Sequence, residues 1–255
     1  GPVLEIPVTD LFAAAIIPGI MLAALYAGYT TLRCYLNPKL GPILPASERP
    51  KNMGKVWYEF FMGLVPPAAL VFFALGSILF GLATPTEGAG MGAFGSILLA
   101  VAYKKFTYKG LKEALIKTLE ITALIMFLVA ASNFFGAVFS KLGTPSLLTD
   151  YLLGLEINKY WILAIMMAVI FLLGWPLEWV PIVLIVLPIL LPLVQELGFN
   201  LTWFAILVAV NLQTAWLSPP VALSAYFLKG VVPEWDLKDI YIGMMQFMVI
   251  QVIGL

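Results

Sequence analysis

Apolar runs that carry almost no charge recur along the chain, at 11–32, 57–82, 119–139 and 201–228. A window of about 18 or more such residues is long enough to cross roughly 30 Å of hydrocarbon as a helix. Of the 255 residues, 62% are hydrophobic and only 11% charged. Soluble domains carry roughly 25% charged residues because they must cover a surface in water. The expected fold is therefore an all-α integral membrane protein, with the lipid bilayer as its surroundings. In lipid, a helix satisfies its backbone donors and acceptors without outside help.

The same inventory removes whole function classes. Fourteen basic and fourteen acidic residues balance to zero net charge, so no global field favours nucleic acid, and none is expected as a partner. Histidine is absent, which removes His-based metal sites, Ser-His-Asp triads and Cys-His pairs together. Cys34 is the only cysteine, so no intrachain disulfide can form. No Walker loop, zinc signature or dinucleotide fingerprint occurs. The chain reads as a non-enzyme with no covalently bound cofactor. Its opening, GPVLEIPVTD, lacks the basic start of a signal peptide. The last apolar run, from 240, stops after about 16 residues, short of a span. Both ends are expected to be truncations of a longer protein.

Lysine and arginine positions orient the spans. Arg33, Lys39, Arg49, Lys51 and Lys55 share one loop, and Lys104, Lys105, Lys109, Lys112 and Lys117 share another. The positive-inside rule makes both loops cytoplasmic. Alternating the spans from there puts Lys229 and Lys238 inside as well. Twelve of the fourteen basic residues then lie inside, with Lys141 and Lys159 outside.

Two interruptions in the second half stand out. Residues 160–173 and 180–194 are each about 15 residues long and are separated by GWPLEW at 174–179. At 1.5 Å per residue each covers about 22 Å, less than the hydrocarbon thickness. Charge counting allows either two tilted spans or a hairpin dipping into the membrane from outside, and length favours the hairpin. Glu178 stands at its tip. A carboxylate at bilayer depth costs about 2.5–3.5 kcal/mol on the lenient insertion scale and so calls for a partner or a cation. The plainer alternative is an interfacial loop flanked by the belt residues Trp175 and Trp179.

The other interruption is NLQTAWLSPPVALSAY. Pro219 and Pro220 supply no amide donor and disfavour helix at the residue before them, so the helix over 201–228 should open near 216–220. Freed carbonyls beside the Thr214 and Ser218 hydroxyls would suit a hard cation such as sodium, and Asn211 and Gln213 lie next to the break. A simple proline kink, with the polar side chains bonded within the helix, is the structural alternative. Two short or broken apolar segments in succession point to a transporter site near the bilayer midplane. The candidate pathway residues are Glu178, Trp179, Asn211, Gln213 and Ser218. The candidate sodium ligands come from Gly174, Glu178, Thr214, Ser218 and Pro219. Near 84–87, Thr84 or Thr86 reads as a helix cap, with Pro85 in the first turn and Glu87 favoured by the helix dipole. That motif and Pro220 are structural.

The stretches ATPTEGAGMGAFG, GWPLEWVPIVLIVLPILLP and NLQTAWLSPPVALSAYFLKGV occur in this order. Together they resemble the large membrane subunit of tripartite ATP-independent periplasmic (TRAP) transporters. The opening VTDLFAAAIIPGIMLAALY is similar to the start of that subunit's second half. The resemblance implies one inverted-topology repeat of an elevator-type transporter, with a re-entrant helical hairpin and a broken helix. It implies scaffold helices over 1–118 with two basic cytoplasmic connectors, and a transport part over 119–230 with hairpin 160–194 and broken helix 201–228. A truncated scaffold helix over 231–255 would complete the chain.

The implied function is sodium-coupled import of a small organic acid delivered by a periplasmic binding protein. The implied location is the bacterial or archaeal inner membrane. A small membrane subunit and the first half of the large subunit would be partners. Glu178 stands where the family usually has Asp, and Trp179 and Val180 replace the threonines that follow. Ser218-Pro219-Pro220 matches the family's Thr-Pro-Pro, and residues 84–87 match its Thr-Pro-Thr-Glu. Two other functions fit the residues: a structural membrane subunit without a substrate site, and a dicarboxylate elevator carrier that needs no binding protein.

Overall fold

The computed structural model describes residues 2–42, 49, 52–220 and 222–255. Residues 43–48, 50 and 51 of the proline-rich loop, with Lys51, and Val221 after the two prolines lie outside the described residues. No strand occurs among the described residues. The chain divides into two compact units, one of residues 29–120 and one of residues 1–28 with 121–255.

The smaller unit is built on α2 (Met53–Leu79) and α3 (Pro85–Ala102). Asn52 caps α2 by accepting from the Gly54 and Lys55 amides. Thr84 caps α3: its hydroxyl accepts from the Glu87 amide at 3.3 Å, and the Glu87 carboxylate accepts from the Thr84 amide at 2.7 Å. This reciprocal cap starts the helix at Pro85, well before the short run at 91–103 that hydropathy suggests. The two helices pack directly on each other through glycines. A Cβ on Gly88 would sit 2.7 Å from Ile78, and one on Gly95 would sit 2.3 Å from Leu70. Small residues let membrane helices approach this closely.

The larger unit holds the start of α1 (Val8–Leu36), most of α4 (Tyr108–Lys141), and then a run of shorter helices. α4 has 34 residues because the basic connector before 119 continues into the span as one helix. Residues 144–153 form α5 (Thr144–Leu153). Next comes α6 (Lys159–Leu173), and after a turn a second helical arm running Trp179–Glu196. That arm contains α7 (Trp179–Pro181), a π turn (Ile182–Val186) and α8 (Leu187–Glu196).

The helix over 201–228 is broken as expected. α9 (Leu201–Leu212) tightens into a 3-10 turn (Gln213–Trp216), and helix resumes only at α10 (Leu223–Val231). The last helix is α11 (Leu237–Ile253), with its N-terminus capped by Asp236.

Among the described residues, four helical stretches are long and apolar enough to cross a membrane: Val8–Leu36, Met53–Leu79, Tyr108–Lys141 and Trp179–Glu196. The last has 18 residues, more than the 15 read from the sequence as 180–194, because the helix takes in Trp179 at its start and Gln195 and Glu196 at its end. Shortness therefore marks only the first arm, α6, with 15 residues. The core of this unit is where the two arms meet α9. Ile170, Ile182, Leu193 and Phe204 are fully buried there. Lipid tails are as apolar as these side chains, so the cluster is held by close packing rather than by escape from water.

Candidate functional site

The end of the first arm lies against the broken helix. A Cβ on Gly174 would meet the Ala215 side chain at 3.4 Å and the Phe171 carbonyl at 3.2 Å. Glycine at this turn therefore sets how near the hairpin tip comes to the 3-10 segment. On the far side of the turn, Trp179 opens the second arm and faces a cavity of about 610 Å³. Gln213, Trp216 and Leu217 of the broken helix line the same cavity, with Ser224 from α10. The two interruptions found in the sequence thus border one space.

Two further polar residues, not foreseen from sequence, complete that space. Tyr26 of α1 and Gln251 of α11 both line it. The Tyr26 hydroxyl donates to Gln251 Oε1 at 3.0 Å. Gln251 Nε2 in turn donates to the Val210 carbonyl and reaches Gln213 Oε1 at 3.4 Å. Gln251 is 1% exposed, so these bonds are what make its burial affordable. The network ties α1, α9, the 3-10 turn and α11 together around the cavity. Its hint in the sequence is Gln251, a polar residue in the apolar last turns of the terminal helix.

The remaining candidates divide. Thr214 and Ser218 are buried, and each hydroxyl donates to a backbone carbonyl three residues earlier, Asn211 at 2.6 Å and Ala215 at 3.5 Å. Their oxygen lone pairs remain. The Leu217 and Ser218 amides both donate to the Thr214 carbonyl at 3.0 Å. The carbonyls of Ala215 and Trp216 would need amides at 219 and 220, and both positions are proline.

Asn211 points elsewhere. Its amide donates to the Met167 carbonyl of α6 at 2.8 Å, while its own Oδ1 is buried without a partner. It is not among the residues lining the cavity. Glu178 is the N-cap residue of the second arm, exposed, and makes no hydrogen bond or ion pair among the described residues. It does not line the cavity either; its neighbour Trp179 does.

No group of three or more Cys, Asp or Glu side chains able to hold a metal occurs among the described residues. What the broken helix offers is neutral oxygen, from the Thr214 and Ser218 hydroxyls and the carbonyls next to the prolines. That donor set suits a hard monovalent cation better than a transition metal. The cavity itself, with its aromatic walls and carboxamides, suits a small organic solute.

The chain matches the family model described as "Tripartite ATP-independent periplasmic transporter, DctM component" over residues 2–255. It is 28% identical over 226 residues to the 2,3-diketo-L-gulonate TRAP transporter large permease protein YiaN of Escherichia coli (strain K12), covering 88% of this chain and 51% of that protein. The C4-dicarboxylate TRAP transporter large permease protein DctM of Rhodobacter capsulatus is 29% identical over 234 residues, 90% of this chain and 51% of that protein. The sialic acid TRAP transporter large permease protein SiaM of Vibrio cholerae is 27% identical over 235 residues, 91% and 53%. The chain thus spans about half the length of these relatives, which are permeases rather than enzymes. A match over nearly the whole chain, on a helical membrane fold with the expected broken helix, places it in a family: the chain belongs to the DctM component, or large permease, family of tripartite ATP-independent periplasmic transporters.

Proposed function

We propose that this chain is part of the permease subunit of a sodium-coupled secondary transporter of the bacterial inner membrane. It would import a small organic acid handed over by a periplasmic binding protein. The observation that carries this reading is the cavity shared by the hairpin tip and the broken helix, through Trp179, Gln213, Trp216 and Leu217. Broken helices facing one cavity are how secondary transporters present carbonyls to a coupling ion and dipoles to a solute.

In this reading residues 160–194 form a re-entrant hairpin inside a moving transport part over 119–230, and 1–118 and 231–255 belong to the scaffold. Thr214, Ser218, Gly174 and the carbonyl side of Pro219 contribute to the sodium site, with Glu178 supplying negative charge near it. Gln213 and Trp179 face the solute. A small membrane subunit and the remaining half of the large subunit complete the assembly. The relatives' names refer to a diketogulonate, C4-dicarboxylates and sialic acid, all of which are organic acids, and this supports the solute class.

The test is uptake in proteoliposomes holding the complete transporter, with radiolabelled succinate, diketogulonate and sialic acid as probes. Uptake should require both an inward sodium gradient and added binding protein. Uptake at an equal rate without sodium would overturn the coupling, and uptake without the binding protein would point to a carrier that works alone.

A further inference from the structure

A second groove, of about 530 Å³, lies on α6 and α9 and is separate from the cavity described above. Its walls are mostly apolar: Ala164, Met167, Ala168 and Phe171 from α6, Leu207 from α9, and Val252 and Leu255 at the end of α11, with Asn211 as the polar residue among them. The two alanines leave a channel between larger side chains. Along α6 the lining runs from Tyr160 to Phe171, a rise of about 16 Å along the helix. That is about half of a roughly 30 Å hydrocarbon core, the depth of one leaflet.

One end of the groove carries the marks of a membrane–water boundary. Tyr160 and Trp203 line it there, and Phe199 joins them, with ring centroids 5.8 Å from Tyr160 and 5.7 Å from Trp203. Aromatic residues gather at this depth because their rings tolerate both lipid and headgroup. Over this cluster stands Lys159. Its Nζ is 5.1 Å from the Phe199 ring centroid and 5.7 Å from that of Tyr160.

Lys159 makes no ion pair among the described residues, so no carboxylate contact neutralises it there. The loop charges also make Lys159 one of only two basic residues on the outer side. A lone ammonium at the interface, above an apolar channel one leaflet deep, complements a molecule with an anionic head and an aliphatic tail.

We propose that this groove holds one acyl chain of an anionic phospholipid, with the Lys159 ammonium on its phosphate. The site is distinct from the transport cavity and does not depend on what the protein carries. A bound lipid here would fill the joint between the first arm and α9, the packing against which the hairpin tip is set.

The test uses the complete transporter purified in mild detergent from vesicles of phosphatidylcholine and phosphatidylglycerol in equal amounts, with retained lipid counted by native mass spectrometry. Phosphatidylglycerol should be retained in preference to phosphatidylcholine. Lys159→Gln, a change at an exposed position, should lower that preference by about fivefold, the worth of one lysine near an anionic surface. Ala164→Phe, which fills the channel, should remove retained lipid of either kind. Equal retention of the two lipids by the unaltered transporter would overturn the proposal. So would an unchanged preference in Lys159→Gln, or an absence of retained lipid because another protein segment covers the groove.

Discussion

Replacing Pro219 and Pro220 together by alanine is expected to cut transport at least about a hundredfold while the protein still reaches the membrane. Each proline disfavours a continuous helix by about 3 kcal/mol relative to alanine. With both gone, the amides at 219 and 220 can bond the carbonyls of Ala215 and Trp216, and the helix from Leu201 can run on into α10. The groups that the break now leaves over, including the Ser218 hydroxyl and the Ala215 carbonyl it reaches at 3.5 Å, would then be closed within one rod. At about 1.4 kcal/mol per factor of ten, removing one proline penalty already shifts the open–closed balance by about two orders of magnitude. Uptake per membrane-inserted molecule is the readout, with helix content by circular dichroism as its companion. Unchanged uptake with raised helicity would mean that the opening is incidental.

Glu178→Ala should produce the second large effect. The carboxylate is exposed and engages no other side chain among the described residues, so nothing in the fold depends on it and insertion should be normal. A unit charge about 4 Å from a cation is worth from about 1 kcal/mol in water to about 4 kcal/mol at intermediate polarity. The sodium concentration for half-maximal uptake should therefore rise at least about fivefold. Glu178→Gln should resemble alanine if charge is what matters. If both variants keep the original sodium dependence, Glu178 has no part in coupling and the cation relies on neutral oxygens alone.

What could be read from the sequence follows from how local each cause is. The break after Trp216 was legible because it depends on two adjacent prolines, whose missing amides act within one turn. The α3 cap was legible for the same reason, since Thr84, Pro85 and Glu87 interact across three residues. The length of the second arm was not. Hydropathy begins the run after Glu178 and Trp179 and ends it before the polar pair Gln195 and Glu196, whereas the helix takes in Trp179 and continues through Glu196.

The polar network of the cavity was still less legible. Tyr26 and Gln251 are 225 residues apart, and nothing near either one says that they meet. The packing of Asn211 was hidden for a related reason. A polar residue beside a break reads as part of the site, but its helical position turns it toward Met167 of the first arm. Of the named candidates, Trp179 and Gln213 line the cavity, while Thr214 and Ser218 are buried in the turn beneath it.

The central claim is that hairpin tip and broken helix wall one cavity, and a cross-link tests it most directly. Cys34 is the only native cysteine, so Cys34→Ser gives a clean background for Trp179→Cys with Gln213→Cys. Once a small thiol reagent shows both positions to be reactive in the membrane, a short bifunctional thiol reagent should join them within one chain, as read by mass spectrometry. Two reactive thiols that no short linker connects would mean that these elements do not face each other, and the transport site would have to be sought elsewhere in the molecule.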